Sequence, residues 1–170
     1  LEQGLEQMKR VTSQEVDMQI VPADNMGESD IIIAVKRSKP WKIVATLDDT
    51  GAKGTGKNQA GLQFGWDNPL GANDTLNIGI NTDADRNNRM RGTQGNNLSY
   101  SIPFGYWTTS LSASESTYHQ RIEGAASSFV SSGKSQNLEA KINYLFYRDQ
   151  FGKSSLQFRT AKRWSHSYID

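Results

Sequence analysis

The sequence predicts a mainly β fold: the end of a small α+β module, then about seven antiparallel strands. Three observations carry this. Residues 41–83 hold three short stretches of strict apolar–polar alternation, and a period of two puts one set on each face of a sheet. Pro40 stands at a joint where one β pattern stops and another begins. From Trp41 onward no helical periodicity recurs, while Trp, Tyr and Phe return at strand spacing.

The elements follow in order. Leu1, Leu5 and Met8 recur at helical spacing, and Lys9 and Arg10 suit the negative end of a helix dipole. Residues 1–11 are therefore expected to end a helix. Val16, Met18 and Ile20 alternate with Asp17 and Gln19, and Ile31, Ile33 and Val35 follow across a loop at 22–29. A helix and two strands this short cannot bury a core alone, so this part reads as the tail of a module. Ser38-Lys39-Pro40 is the joint, because proline removes a ladder donor.

In the first β-rich stretch Trp41, Ile43, Ala45 and Leu47 share one face. Ala60, Leu62, Phe64 and Trp66 do so in the second, and Leu76, Ile78 and Ile80 in the third. The opposite faces carry small polar residues, among them Gln63, Asn77 and Asn81. A fourth strand holds Leu98, Tyr100 and Ile102, and a fifth holds Trp107, Thr109, Leu111 and Ala113. The sixth ends on Leu138, Ala140, Ile142, Tyr144 and Phe146, alternating with Glu139, Lys141 and Asn143. The seventh carries Leu156 and Phe158 and extends toward Trp164. Residues 115–133 are Ser- and Gly-rich and give no register; the fifth and sixth strands are expected to meet near Gly124.

Connections alternate in character. Asn68-Pro69-Leu70-Gly71 and Pro103-Phe104-Gly105-Tyr106 are tight turns. Residues 51–57 and 86–95 are longer and polar, the first expected to be flexible. Trp66, Phe104, Tyr106, Trp107, Tyr147 and Phe151 lie near the tight turns. Short turns, long opposite loops and aromatic girdles suit an outer-membrane barrel. An antiparallel sandwich with hairpins fits the same composition.

Bulk properties exclude little but narrow the partners. The 170 residues hold 35% apolar side chains, a net charge of +1 and no cysteine. That balance gives no global argument for nucleic acid or an anionic membrane surface, and no nucleic-acid partner is expected. No disulfide frame or thiolate chemistry is available. No apolar run is long enough for a membrane helix, whereas a spanning strand needs about 9–11 residues. The start, Leu1-Glu2-Gln3-Gly4-Leu5, has neither Met nor a signal-peptide pattern; the chain is read as a fragment of a longer protein.

The motifs for chemistry are incomplete. Residues 51–57 fit the spacing of a phosphate loop, but Asn58 replaces the expected Ser or Thr and a strand follows instead of a helix. Asp83-Ala84-Asp85-Arg86-Asn87 resembles the start of a calcium loop, but Asn88 and Gln94 occupy the positions of its Gly and Glu. His119 and His166 have no metal-ligand spacing. Asp48 and Asp49, as strand neighbours, point to opposite faces and cannot form an acid–base pair. No catalytic residue, metal ligand or cofactor is assigned, and the chain is not read as an enzyme.

Ser38-Lys39-Pro40-Trp41, Leu47-Asp48-Asp49-Thr50-Gly51, Thr55-Gly56-Lys57 and Asp67-Asn68-Pro69-Leu70-Gly71 closely resemble one family. So do Asn73-Asp74, the stretch 100–107, Tyr118-His119-Gln120, the stretch 132–137, Tyr147-Arg148-Asp149 and Tyr168-Ile169-Asp170. The family is that of the two-partner secretion outer-membrane transporters, the haemolysin secretion/activation proteins.

The resemblance implies two periplasmic POTRA domains followed by a transmembrane β-barrel of sixteen strands. On it, residues 1–38 end the second POTRA domain, and 39–170 form the first part of the barrel. It places the protein in the outer membrane of a Gram-negative bacterium, with the POTRA part in the periplasm. The implied function is translocation of an unfolded partner exoprotein (haemolysin, adhesin or contact-dependent inhibition toxin) that carries an N-proximal secretion domain. No cofactor is implied, and the other partner is outer-membrane lipid.

The strand Val16, Asp17, Met18, Gln19 and Ile20 is the expected partner-binding edge, by β-augmentation. Its apolar side chains suit core packing, which leaves recognition to the backbone. Gln63, Asn77, Asn81 and Ser101 are expected to face the lumen. The full-length protein is expected to be monomeric. The fragment lacks the second half of the barrel and the family's Val-Arg-Gly-Tyr motif, so it is expected to be inactive and to self-associate through free strand edges. The alternatives are an assembly factor of the related barrel-insertion family and a surface β-domain for adhesion or carbohydrate binding.

Overall fold

The computed structural model describes residues 2–23, 25, 27–52, 54–84, 91–123, 128–149 and 151–169. One helix comes first, α1 (Glu2–Lys9), followed by β1 (Gln14–Pro22) and β2 (Ser29–Arg37). Then come β3 (Trp41–Asp48), β4 (Gln59–Asp67), β5 (Thr75–Asp83), β6 (Gly92–Phe104), β7 (Trp107–Glu123), β8 (Ser128–Arg148) and β9 (Lys153–Ile169). Strands β1 and β2 form a two-stranded antiparallel sheet, and β3 to β9 form a seven-stranded meander in sequence order. That order follows from the short connections, since consecutive antiparallel strands need only a turn between them.

Directly opposed residues of an antiparallel pair lie on the same face. Ile43 opposes Phe64, which opposes Ile78, which opposes Leu98. Leu98 opposes Ala113, and Ala113 opposes Leu138. The apolar sets read from the sequence therefore merge into one continuous face. On the other face Gly65 opposes Asn77, Asn77 opposes Ser99, and Ser99 opposes Ser112.

The apolar face is uncovered. Ile43 is 56% exposed, Leu47 82%, Leu156 66% and Phe158 67%. Among the described residues only Val11, Val16 and Pro103 are buried apolar side chains. A sandwich would bury its apolar face against a second sheet; this sheet buries it against nothing among the described residues. That is the arrangement of a wall whose apolar side meets lipid.

Three expectations are revised. The stretch 115–133, which gave no register, is a paired ladder: Ser116 opposes Ser135 and Tyr118 opposes Gly133. Small polar residues fill most positions there, and the few apolar ones, such as Tyr118 and the opposed pair Ile122 and Phe129, are too sparse to mark an alternation. The expected meeting point at Gly124 lies outside the described residues. Part of the loop expected at 86–95 belongs to β6, which starts at Gly92; Gly95 sits under Asn81, whose Oδ1 lies 2.4 Å from the place of a Cβ. The seventh barrel-type strand also runs well past Trp164, to Ile169.

The turns gather at one end. The β4–β5 turn uses left-handed Asn68 (φ 57°), Gly71 (φ 79°) and Asn73 (φ 56°). Asp74 closes it from within, accepting from the Leu70 amide at 3.2 Å. At the same end the Asp67 amide donates to the Pro40 carbonyl at 2.7 Å, joining β3 to the turn. Trp107 and Tyr144 stack there, with ring centroids 4.2 Å apart.

Candidate functional site

The polar face of the seven-stranded sheet is the candidate site. Gln63 opposes Gly79, Asn81 opposes Gly61, Asn77 opposes Gly65, and Ser101 opposes Thr75. The register brings all four expected lumen residues onto this one face. Glycines recur as their neighbours for a steric reason. A Cβ on Gly79 would stand 2.2 Å from Asn97 Oδ1, and one on Gly61 would stand 2.5 Å from Thr46 Oγ1. Asn and Thr side chains thus lie flat across neighbouring strands and keep the face shallow. A cleft of about 370 Å³ opens between Lys42, Gln63, Asn77 and Asn97.

Ser101 differs from the other three. Its hydroxyl shares a hydrogen bond of 2.7 Å with Ser110 and also receives the Arg10 guanidinium. It is half-buried and bonded to the N-terminal part of the chain.

Charged residues on the same face were not assigned from the sequence. Glu139 accepts from Arg159 Nε at 2.8 Å and lies 3.5 Å from Lys141 Nζ. Their alternation with Leu138, Ala140 and Ile142 was legible; the pairing with Arg159 was not, because it depends on the β8–β9 register.

The expected partner-binding strand is β1. Val16 is 8% exposed, Met18 is half-buried, and Ile20 is 66% exposed. Asp17 and Gln19 point to solvent. The strand pairs only with β2, so its other edge carries no ladder among the described residues.

The incomplete motifs part in space. In the 51–57 loop the Gly51 amide donates to the Lys57 carbonyl at 3.0 Å, and the loop enters β4. Gly56 has φ +112°, and a Cβ there would stand 2.2 Å from Asp83 Oδ1. Gly56 thus serves close packing on β5, while Gly54 lies against Gln120 of β7. Lys53 lies outside the described residues. Asp48 accepts from the Thr50 amide at 3.1 Å, while Asp49 lies 3.4 Å from Lys57 Nζ. Most of the calcium-like stretch, residues 85–90, lies outside the described residues. His119 and His166 sit on β7 and β9 with β8 between them. Among the described residues no three His, Asp or Glu side chains group as a metal site.

The sequence profile of the haemolysin secretion/activation proteins ShlB/FhaC/HecB matches residues 27–170. The chain belongs to this family. A POTRA domain profile matches residues 1–22. The outer membrane transporter CdiB-2 of Burkholderia pseudomallei (strain 1026b) is 45% identical over 170 residues, covering 100% of this chain and 29% of the relative. The hemolysin transporter ShlB of Serratia marcescens is 30% identical over 170 residues, covering 100% of this chain and 30% of the relative. CdiB from Escherichia coli superposes with a TM-score of 0.90 at 25% identity, over 99% of this chain and 31% of that one. CdiB from Acinetobacter baumannii gives 0.79 at 26% identity, over 98% and 32%.

The chain thus spans about three-tenths of the length of these haemolysin secretion/activation relatives. Its seven-stranded sheet is a section of the β-barrel wall of an outer-membrane protein. An uncovered apolar face is what the outer side of such a barrel wall carries.

Proposed function

We propose that the chain is the POTRA–barrel junction of an outer-membrane transporter that exports an unfolded partner protein in two-partner secretion. Residues 1–38 end the last POTRA domain and 39–170 begin the barrel. The free edge of β1, from Val16 to Ile20, receives an extended segment of the partner by backbone pairing. The partner then passes along the polar face, where Gln63, Asn77 and Asn81 hydrate the lumen and Ser101 marks its periplasmic mouth. Passage is passive and no group on this wall does covalent chemistry. The full-length protein acts as a monomer in outer-membrane lipid.

The observation that carries this reading is the division of one sheet into an uncovered apolar face and a shallow amide- and charge-bearing face. The test uses the full-length transporter with a photo-crosslinking residue at one position at a time. Gln63 and Asn77 are expected to capture the secreted partner, and Leu62 and Ile78 only lipid. Capture of the partner from Leu62 would refute the assignment of faces. Capture of other barrel proteins instead would identify an assembly factor.

A further inference from the structure

The helix α1 carries a polar stripe with a use of its own. Gln3, Glu6, Gln7 and Arg10 are spaced i, i+3, i+4, i+7, so they lie on one side of the helix. Each reaches the turn end of the barrel wall. Gln3 Oε1 accepts from Arg148 Nη1 at 3.1 Å. Glu6 pairs with Arg148 and with Lys153, on either side of the β8–β9 turn. Gln7 donates to the Gly105 carbonyl in the β6–β7 turn, and Arg10 donates to Ser101 on β6. The segment after the helix continues the series: Thr12 Oγ1 and the Ser13 amide donate to Asp67 Oδ2 at 2.8 and 2.9 Å. Gln14 Nε2 donates to Asn73 Oδ1 at 2.8 Å.

The position of this contact matters as much as its extent. Between α1 and the sheet lies a cleft of about 480 Å³, bordered by Thr108, Asn143 and Ser155. All three belong to the polar face, since Thr108 opposes Asn143 and Gln157, two residues after Ser155, opposes Asn143 as well. The helix therefore lies over the polar face at its turn end.

We propose that α1 and the segment after it form a polar clamp: together they fix the POTRA part to three turns of the barrel, and α1 partly screens the periplasmic mouth of the lumen. The contacts suit a releasable fastening. They are ion pairs and hydrogen bonds, individually weak where they are exposed, and together they hold one helix in one place. Arg148 is the central member, its side chain only 15% exposed and shared between Gln3 and Glu6. The screening half of the proposal rests on the transport reading, because it takes the polar face to line a pore. The fastening half rests on the contacts alone.

The test is a charge swap in the full-length transporter, followed by two measurements. Glu6→Lys is expected to raise hydrogen exchange at the α1 amides at least tenfold and to raise mean channel conductance in planar bilayers. Glu6→Lys combined with Arg148→Glu is expected to restore both toward wild type. Arg10→Ala, which leaves the Glu6 pairs intact, is expected to raise conductance with a smaller change in exchange. Unchanged exchange in Glu6→Lys, or no recovery in the swap, overturns the clamp. Faster exchange with unchanged conductance overturns the screening. A wild-type protein that conducts no ions overturns the pore reading, and the exchange measurement still decides the fastening.

Discussion

The Tyr100 hydroxyl donates to Asp74 Oδ2 at 2.8 Å, tying β6 to the inside of the β4–β5 turn. Asp74 is fully buried. Its carboxylate also accepts from the amides of Leu70 and Ala72, at 3.2 and 3.4 Å. A buried carboxylate is tolerable only with such a set of donors. Asp74→Ala leaves these donors unsatisfied and is expected to cost about 2 kcal/mol, within the range for charged hydrogen bonds. Tyr100→Phe removes one donor and is expected to cost about 1 kcal/mol. Urea unfolding of the detergent-solubilised transporter measures both, and identical midpoints for Asp74→Ala and wild type would refute the role.

A second prediction concerns the upper wall. The Tyr118 ring lies over Gly133, its cross-strand partner, and a Cβ there would stand 2.5 Å from the ring edge. Gly133→Ala must push the ring aside, at a cost of about 1–3 kcal/mol typical of overpacking. Adding Tyr118→Ser is expected to recover most of that loss. A double-mutant cycle on unfolding midpoints reads the coupling, and additive effects would contradict the packing argument.

The β8–β9 turn carries a pH dependence. Asp149 accepts from the Tyr147 hydroxyl at 2.8 Å and from the amides of Phe151 and Gly152 at 2.8 and 2.7 Å. These bonds, the Tyr147 contact first, hold its carboxyl below the ordinary value of 3.8. A depressed carboxyl stabilises the folded turn above the ordinary value, and that contribution is lost as pH falls through the depressed one. Exchange protection of the Phe151 and Gly152 amides, corrected for intrinsic rates, is therefore expected to be level from neutrality to about pH 5 and to fall below pH 4. Asp149→Asn is expected to remove this acid dependence; persistence of the same fall in that variant would assign it to another group.

The sequence by itself determined the local pattern: one helix, strand periodicity, tight turns at one end, and the split of residues 41–83 into an apolar and a small polar set. These are legible because side-chain direction in a strand depends only on position parity. It also placed Gln63, Asn77 and Asn81 on a common side, through the same parity and the lengths of the turns. Tertiary structure decided what parity cannot. It showed that the apolar face is uncovered, which separates a barrel wall from a sandwich. It set the register of the Ser- and Gly-rich stretch, where apolar residues are too sparse to mark a parity. It also brought Arg10 to Ser101 and Glu6 to Arg148 across long separations in the chain. Such contacts leave no periodic trace, because they depend on where two elements dock and not on how either one repeats.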